Sequence, residues 1–542
     1  MAIEYRMKNG IEYALISKSV RNGSKVSKAP RINLGRVIDK EKGIYKNRER
    51  GLFMYDPSAD EYSKVPADYL EPPTRRKKKY RDREILEVEF GSIFFFDTFT
   101  EKCNMWKAVD AIHAGNRDTL HALIAYYCLT PYSNRHASFW WNYTYARILY
   151  PRAQMASQRI SEMLEDLGQE EAKRLFFKAY YKILAGSSAK SRAAGFDLDD
   201  GTAGDGILID STGLPNACSL PVTAVNNHNG VISEEVRLIY VVQQKTGLPL
   251  FFRYVAGNII DATTIKTTVA ELKASGINTR YAILDAGYYN GRNADVLMDA
   301  GISFLSRMNS NYNVYKNAMA EHRSTLEAKE NLVVFNGRIV YVKCIECLIG
   351  EKSDRPAYAY LCLDCTMKRE EEYKLSLRIS DTDMNASEIH EKRSSQGIFM
   401  LVSTRRIAKA SLLPLYYTRN QVEDIFKLCK GRCKILPINI QNEATLRGHL
   451  LITFIATVLM KMLSDQLKET NITTEMLFMA LDQHRAKIYE KKIIVNEATK
   501  IMNFAYRKFK MDVPTEIDYK APDGLWDLIN NIGADWVTTE QL

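Results

Sequence analysis

The sequence is organised around residues 416–430, whose one-letter sequence is YYTRNQVEDIFKLCK. Apolar residues recur in this stretch at the i, i+3, i+4, i+7 spacing of an amphipathic α-helix. They are Val422, Ile425, Phe426 and Cys429. We therefore predict a helix over 416–430 that packs this apolar stripe against a core.

The same stretch has a polar face, because four further residues are spaced close to a heptad period and share one side of the predicted helix. They are Tyr416, Arg419, Glu423 and Lys430. On this helix alone, the simplest interpretation is a solvated surface with an Arg419–Glu423 ion pair at i, i+4. Residues upstream favour a different interpretation, in which Glu423 belongs to a carboxylate site.

Length and composition indicate a large globular protein. At 542 residues the chain is too long for one hydrophobic core, and about three or four domains are expected. The longest apolar run, residues 449–463, includes a His and a Lys and is interpreted as a buried helix, not a membrane span. Nine cysteines without an N-terminal signal peptide predict a reducing compartment. We expect a cytoplasmic protein without a membrane partner.

Positive charge is concentrated near the N-terminus. The chain has 75 Lys and Arg against 65 Asp and Glu, and residues 1–50 hold 13 basic and 5 acidic side chains. A second basic cluster consists of Arg75, Arg76, Lys77, Lys78 and Lys79. This distribution predicts a polyanionic partner, with nucleic acid ahead of a membrane surface, while the alternative is a merely solubilising tail.

Turn signals and hydrophobic periodicity divide the chain into six segments. We predict a basic β module with its linker (1–85), a helical region (86–200), the first part of an α/β core (201–308), a β-rich insertion (309–396), the second part of the core with the Glu423 helix (397–465) and a C-terminal helical region (466–542).

Two apolar strands of the predicted core end on an acid. The strand predicted at 207–210 ends on Asp210, and the strand predicted at 281–285 ends on Asp285. Either aspartate alone is most simply a turn cap, because a charge beside apolar neighbours is costly without a partner. In a sheet with this element order the first and fourth strands are neighbours. We therefore expect Asp210 and Asp285 side by side, with Glu423 brought to the same end by its helix.

Three converging carboxylates repel one another unless cations lie between them. Their oxygen ligands suit Mg²⁺ or Mn²⁺. Two such ions activate a water or a 3′-hydroxyl on one side of a phosphodiester and stabilise the leaving oxygen on the other. Arg419 and Lys430, on the Glu423 face, are then placed to contact phosphate oxygens.

The spacing Tyr416-x2-Arg419-x3-Glu423-x6-Lys430 resembles the Y-R-E-K signature of bacterial insertion-sequence transposases of the DDE type. Other stretches resemble the same family in chain order and extend the resemblance over roughly residues 85–470. They are Ile209-Asp210-Ser211-Thr212, Gly257-Asn258-x2-Asp261, Leu284-Asp285-Ala286-Gly287, Leu436-Pro437 and Arg447-Gly448-His449.

The resemblance implies a ribonuclease H-like core, a mixed five-stranded sheet with helices, interrupted by a β-rich insertion before the catalytic glutamate. It implies that Asp210, Asp285 and Glu423 are the catalytic, metal-binding triad. Tyr416, Arg419 and Lys430 match the family's DNA-contacting positions.

The resemblance also implies an activity. A homodimer would synapse transposon ends, cleave them at their 3′ ends and join them to target DNA in the bacterial nucleoid. Residues 1–85, with the basic cluster at 75–79, and the helical region to residue 200 would bind end DNA and assist dimerisation. Two alternatives remain open: a ribonuclease H-like nuclease without strand transfer, and a non-catalytic DNA-binding relative.

Four cysteines have a spacing that is typical of zinc sites, in two C-x2-C pairs. They are Cys344, Cys347, Cys362 and Cys365. Their neighbours have β alternation and lack the Gly or Pro of a tight zinc knuckle, and residues three apart on a strand point to opposite faces. A structural zinc is therefore the less favoured alternative, and the remaining cysteines are expected to be buried thiols.

Overall fold

The computed structural model of the chain describes residues 2–8, 11–17, 19–22, 25–28, 31–66, 69, 84–190, 206–216, 218, 220–228, 231–259, 261–351, 354–380, 384–522 and 525. The chain separates into two compact units, Met1–Arg81 and Asp82–Leu542. The first unit carries the basic N-terminal segment. The second unit carries every residue of the predicted carboxylate site.

The N-terminal unit is a β module, as predicted. Its strands are β1 (Ala2–Lys8), β2 (Ile11–Ser17), β3 (Ser19–Asn22), β4 (Lys25–Lys28), β5 (Ile32–Asp39), β6 (Ile44–Asn47), β7 (Gly51–Asp56) and β8 (Glu61–Lys64). One antiparallel sheet has the order β1-β2-β5-β6-β7-β8, and β3 pairs with β4 as a separate hairpin. Its small core contains Ala14, Ile16, Leu34, Tyr45, Phe53 and Tyr55.

The large unit opens with one strand and a run of helices. These elements are β9 (Glu84–Glu89), α1 (Gly91–Lys102), α2 (Met105–Asp110), α3 (Arg117–Leu129), α4 (Ala137–Tyr143), α5 (Ala146–Leu149), α6 (Ser157–Leu167) and α7 (Glu170–Lys190). Nearly every residue of α3 is buried. This helix therefore lies inside the main hydrophobic core of the unit.

Strands and helices alternate in the segment that follows. They are β10 (Gly206–Pro215), β11 (Ala224–His228), β12 (Val231–Gln243), β13 (Pro249–Ala256), α8 (Ile265–Ala274), β14 (Tyr281–Leu284), α9 (Gly291–Asp299) and β15 (Ser303–Met308). β10 pairs with β12 in antiparallel and with β14 in parallel orientation, and β14 pairs in parallel with β15. The predicted adjacency of the first and fourth core strands is therefore confirmed.

The next elements extend this sheet and lead to the glutamate helix. They are α10 (Asn313–His322), β16 (Leu332–Phe335), β17 (Arg338–Ile349), β18 (Arg355–Asp364), α11 (Cys365–Ser380), α12 (Ala386–Ser394), β19 (Ile398–Ser403), α13 (Lys409–Tyr417), α14 (Asn420–Gly431) and α15 (Glu443–Leu467). One ten-stranded sheet has the order β11-β12-β10-β14-β15-β19-β18-β17-β16, with β13 paired to β12. The strands of residues 309–396 thus continue the sheet that carries Asp210 and Asp285.

The C-terminal region differs from the helical region that the sequence predicts. Its elements are α16 (Thr474–Leu481), β20 (Arg485–Tyr489), β21 (Lys492–Val495), α17 (Lys500–Lys508) and β22 (Glu516–Asp518). The three strands form a sheet with β9, in the order β22-β21-β20-β9. β20 alternates buried and half-buried residues, but its partner β9 lies some 400 residues earlier in the chain. Such short strands gain their stability from a distant partner, which local periodicity does not reveal.

Short 3₁₀ turns complete the described elements. They are Asn134–His136, Asp261–Thr263, Ala286–Tyr288, Arg323–Thr325 and Lys329–Asn331. Two of them, Asp261–Thr263 and Ala286–Tyr288, lie beside each other near the ends of strands β13 and β14.

Helix α15 crosses the core of the large unit, and most of its residues are buried, as predicted for the apolar run 449–463. Within the described part of the chain it is the one helix long and apolar enough to span a membrane, and 78% of its most apolar window is buried inside the protein. It packs closely on α6, because a Cβ on Gly448 would overlap the carbonyl oxygen of Leu164, and one on Gly168 would overlap that of Ala444.

Candidate functional site

The predicted helix over 416–430 is present as two helices. Tyr416 belongs to α13, and Arg419 is the residue before α14. At this junction the Arg419 N–H bonds the carbonyl of Tyr416, and the Val422 N–H bonds that of Arg419, which are i→i+3 bonds. The Thr418 hydroxyl also donates to the carbonyl of Leu415. Side-chain competition of this kind interrupts a helix, so the prediction of one continuous helix is wrong at Thr418.

The apolar stripe of α14 is buried as predicted, with Val422, Ile425, Phe426 and Cys429 at 8% exposure or less. The Phe426 ring stacks on Tyr240 of β12, with 5.6 Å between ring centroids. The Tyr240 hydroxyl lies 3.5 Å from the Cys429 sulfur. These contacts fix α14 against the sheet, so its opposite face is held at the strand ends.

Asp210 and Asp285 follow paired residues of two neighbouring strands. Ile209 of β10 pairs in parallel with Leu284 of β14, and each aspartate is the next residue along the chain. The residues before each aspartate, 206–209 and 281–284, are buried. β14 ends at Leu284, whereas β10 continues past Asp210 to Pro215 and stays paired with β12 over that length. The predicted placement of the two aspartates on neighbouring strands is confirmed, but the prediction that the first strand ends on Asp210 is wrong, because β12 continues to pair with β10 beyond it.

The guanidinium of Arg419 contacts all three predicted carboxylates. Its Nη1 lies 3.1 Å from Asp210 Oδ2 and 3.7 Å from Asp285 Oδ1. Its Nη2 lies 3.3 Å from Glu423 Oε1. The simple i, i+4 pair is therefore one part of a four-residue cluster. Asp285 and Glu423 are 40% and 46% exposed, so the cluster opens to solvent on their side.

Asp210 is the most buried carboxylate of the cluster, with 15% of its side chain exposed. Burial, with smaller contributions from the charges of Asp285 and Asp261, raises its pKa to about 6. The Ser211 N–H, which donates to Asp210 Oδ1, and the Arg419 guanidinium oppose this rise. Close to neutral pH the site therefore holds a carboxylate whose charge is poorly compensated by the protein.

Asp210→Asn is expected to stabilise the metal-free protein at pH 7. The folded state raises the pKa of Asp210 from 3.8 to about 6, so it binds this proton more tightly than the unfolded chain does. The free energy of unfolding therefore falls as pH rises from about 4 to about 6 and stays lower above. Removing the charge should restore about 3 kcal/mol at most. Urea unfolding in a chelator at pH 7 and pH 4 tests this, because the gain should vanish at pH 4. A loss at pH 7 would contradict it.

Lys430 and Tyr416 flank the cluster. Lys430 Nζ donates to Thr212 Oγ1 at 2.7 Å and to the carbonyl of Gly213 at 3.0 Å, both on β10 just beyond Asp210. Burial lowers the pKa of Lys430. Tyr416 is 5% exposed, and burial followed by the charge of Asp285 raises its pKa to about 12. Its ring lies 6.0 Å from the Arg419 guanidinium.

The other predicted DNA contacts are Arg75, Arg76, Lys77, Lys78 and Lys79, which lie outside the described residues.

Sequence reasoning missed a set of polar residues behind the carboxylates. Asp261 Oδ1 accepts from the Ser211 hydroxyl at 2.6 Å and from Arg237 Nη1 at 3.0 Å. Asn293 lies nearby at the start of α9 and is 5% exposed. Asp261 had a signal, because it ends the stretch Gly257-Asn258-x2-Asp261. Arg237 and Asn293 had none, because their partners are distant in sequence.

The carboxylate cluster offers the oxygen ligands that a divalent cation prefers, but its three carboxylates are paired with Arg419. Carboxylate oxygens suit Mg²⁺, which usually takes one or two protein carboxylates and completes its shell with water and phosphate. Among the described residues, no group of three His, Cys, Asp or Glu side chains is arranged to hold a metal ion. The cluster therefore offers donor oxygens of a suitable type without a ready-made arrangement of three ligands in that part of the chain.

The four cysteines of the zinc alternative do not converge. Cys344 and Cys347 lie on β17, opposite Tyr360 and Ala357 of β18, while Cys365 begins α11. Cys362 is completely buried, and burial raises the pKa of its thiol. All four thiols are free, and none belongs to a group of three that could hold a metal. The zinc alternative therefore has no support from the geometry.

Residues 202–459 match the family model described as the transposase DDE domain. This stretch contains Asp210, Asp285 and Glu423 together with Arg419. No curated protein matches the chain. A cryo-EM structure of a piggyBac transposase synaptic complex with hairpin DNA is similar over 81% of this chain and 85% of the other, with 13% sequence identity and a TM-score of 0.38.

Proposed function

We propose that this chain is a DDE transposase, which cleaves DNA at the 3′ ends of a transposon and joins those ends to target DNA. The observation that carries the proposal is the convergence of Asp210, Asp285 and Glu423 on one guanidinium, inside the stretch that matches the transposase DDE domain. These residues come from within β10, from the end of the neighbouring parallel strand β14 and from one helix. The order β13-β12-β10-β14-β15 supports a ribonuclease H-like core.

In this proposal the three carboxylates hold the metal ions, and the neighbouring cations hold DNA. Two Mg²⁺ or Mn²⁺ ions, when bound, would activate water or a 3′-hydroxyl and stabilise the leaving oxygen. Arg419 and Lys430 donate to phosphate oxygens, where cationic donors stabilise developing charge. Tyr416 packs against Arg419 and limits where its guanidinium can move. The 3′-hydroxyl attacks target DNA directly, so no covalent enzyme intermediate is needed.

The proposal extends to the partners of the chain. We propose that two copies synapse two transposon ends in the bacterial cytoplasm, with the basic residues of segment 1–85 and the helices of segment 86–200 binding end DNA. The positive charge of residues 1–50 supports this role, because phosphate contacts dominate the affinity of proteins for DNA. Binding of end DNA should therefore weaken steeply as salt rises.

One assay separates this function from its two alternatives. The protein is incubated with Mg²⁺, a labelled transposon end and a target plasmid, and the products are resolved on a gel. Label joined to the plasmid is the expected result. Nicked ends without joined product would favour a ribonuclease H-like nuclease, and shifted but intact DNA would favour a non-catalytic binder. Omitting Mg²⁺ should abolish both cleavage and joining while the shift remains.

A further inference from the structure

Two segments follow the aspartates of the site, and two side chains, Asp261 and Asn293, connect them. One segment is the part of β10 that continues beyond Asp210, beginning with Ser211, and the other is the 286–288 turn that follows Asp285. Asp261 contacts Ser211, and Asn293 contacts Tyr288 and the turn that contains Asp261. We refer to these two residues and their hydrogen bonds as the Asp261–Asn293 brace.

Asp261 bonds side chains of two neighbouring strands, β10 and β12. Its Oδ1 accepts from the hydroxyl of Ser211, the residue after Asp210, and from Arg237 Nη1 of β12. The side chains of Arg237 and Asp261 are 13% and 19% exposed, so this ion pair is largely shielded from solvent. Ser211 also donates its backbone N–H to Asp210 Oδ1. One residue, Ser211, thus links Asp261 to Asp210.

Asn293 forms hydrogen bonds with two turns, the one that contains Asp261 and the one that follows Asp285. Its Nδ2 donates to the carbonyl of Ala262 at 2.7 Å and to the carbonyl of Tyr288 at 2.7 Å. The Tyr288 N–H in turn bonds the carbonyl of Asp285. A Cβ on Gly287 would lie 3.5 Å from Asp261 Oδ2, so the two turns are already in close approach. The amide of one buried side chain therefore fixes their separation.

We propose that Asp261 and Asn293 are positioning residues that set the distance between the Asp210 and Asp285 carboxylates, and hence the affinity of the site for its divalent cation. The inference rests on the proposed function for the identity of the site. The brace acts through Ser211 on one aspartate and through the 286–288 turn on the other. Hydrogen-bonding partners behind metal ligands commonly change metal affinity or activity by about 10- to 100-fold when they are lost.

Asp261 is a positioning residue and not a fourth ligand, because its Oδ1 is already shared by two donors. Tyr288 of the second turn is completely buried. Burial, followed by the charges of Asp261 and Asp210, raises the pKa of Tyr288 well above its usual range.

The test compares two buried asparagines whose Nδ2 donates to two backbone carbonyls. Asn293→Ala removes the two bonds that Asn293 contributes to the brace. Asn331→Ala is the control, because Asn331 is 3% exposed and its Nδ2 donates to the carbonyls of Thr325 and Leu326 in the insertion, while its Oδ1 also accepts from Lys409. Binding of Mn²⁺ to the DNA-free full-length protein is measured by electron paramagnetic resonance. We expect Asn293→Ala to weaken Mn²⁺ binding about tenfold and Asn331→Ala to leave it unchanged, with similar losses in thermal stability.

A second pair of variants separates a specific role from a general loss of folding. Asp261→Ala should weaken Mn²⁺ binding to a similar extent, whereas Asp261→Asn keeps an oxygen acceptor for Ser211 and should retain most of the affinity. Equal Mn²⁺ affinity in Asn293→Ala, Asn331→Ala and the natural protein would overturn the inference, as would the absence of Mn²⁺ binding in the natural protein. Because DNA is absent from this assay, a failure to cleave transposon ends would count against the proposed function alone.

Discussion

Asp285→Ala is expected to reduce 3′-end cleavage by at least about 10³-fold, the size of effect seen when a group that acts in the transition state is removed. Asp285 is 40% exposed and lies 3.7 Å from Arg419, so it is both open to solvent and part of the carboxylate cluster. Its neighbour Asp210 is more buried and already carries a raised pKa. Loss of Asp285 leaves two carboxylates for two cations, and the rate of the chemical step should collapse.

The measurement is single-turnover cleavage of a labelled transposon end in Mg²⁺, with DNA binding followed separately by fluorescence anisotropy. Binding should remain within about threefold of the natural protein, because Asp285 is a metal ligand in this proposal and not a phosphate contact. Asp299→Ala is the matched control, since Asp299 is also a solvent-exposed aspartate paired with an arginine, Arg355, but lies at the end of α9. Undiminished cleavage by Asp285→Ala would show that the carboxylate cluster is not the catalytic site.

Gly448→Ala is expected to destabilise the large unit by about 3 kcal/mol, at the upper end of the usual cost of overpacking. The added Cβ would overlap the carbonyl oxygen of Leu164 on helix α6. Because this oxygen belongs to the backbone, a change of side-chain rotamer cannot relieve the overlap. Helices α6 and α15 would have to separate, and α15 is the buried helix beneath α14. We therefore expect the substitution also to shift α14, the helix that carries Glu423.

Chemical unfolding of the full-length protein measures this loss. Gly431→Ala is the matched control, because Gly431 is also helical but has no heavy atom within 4 Å of its would-be Cβ. That substitution should leave stability unchanged or raise it by less than about 1 kcal/mol, since alanine favours a helix over glycine. If Gly448→Ala were as stable as Gly431→Ala, the close approach of α6 and α15 would be incorrect.

The carboxylate site was predictable from the sequence because its signals are local. Asp210 and Asp285 each follow a run of buried apolar strand residues, and the element order makes those strands neighbours. Glu423 and Arg419 lie on a face opposite an apolar stripe, which orients them once the stripe packs. Each of these inferences needs only periodicity and strand order.

Features that depend on long-range pairing were not predictable in the same way. The sheet of β20, β21 and β22 needs β9 from the start of the large unit. The break at Thr418 depends on one side-chain hydrogen bond, which the Thr418 hydroxyl donates to the carbonyl of Leu415. Asn293 bonds carbonyls on two different turns, and no periodicity in the sequence marks such a residue. Gly448 lies in a family-like stretch, but its physical role is the close crossing with α6, a helix that is distant in sequence.

In the proposed function, the guanidinium of Arg419 competes with the cation for the three carboxylates. In the protein alone, this tethered counterion already neutralises part of the charge on Asp210, Asp285 and Glu423. A divalent ion that binds between two of these carboxylates would weaken their pairing with Arg419. A DNA phosphate offers the released guanidinium an equivalent anionic partner. Substrate and metal would therefore bind cooperatively. The affinity for the divalent cation would then stay low until DNA is bound.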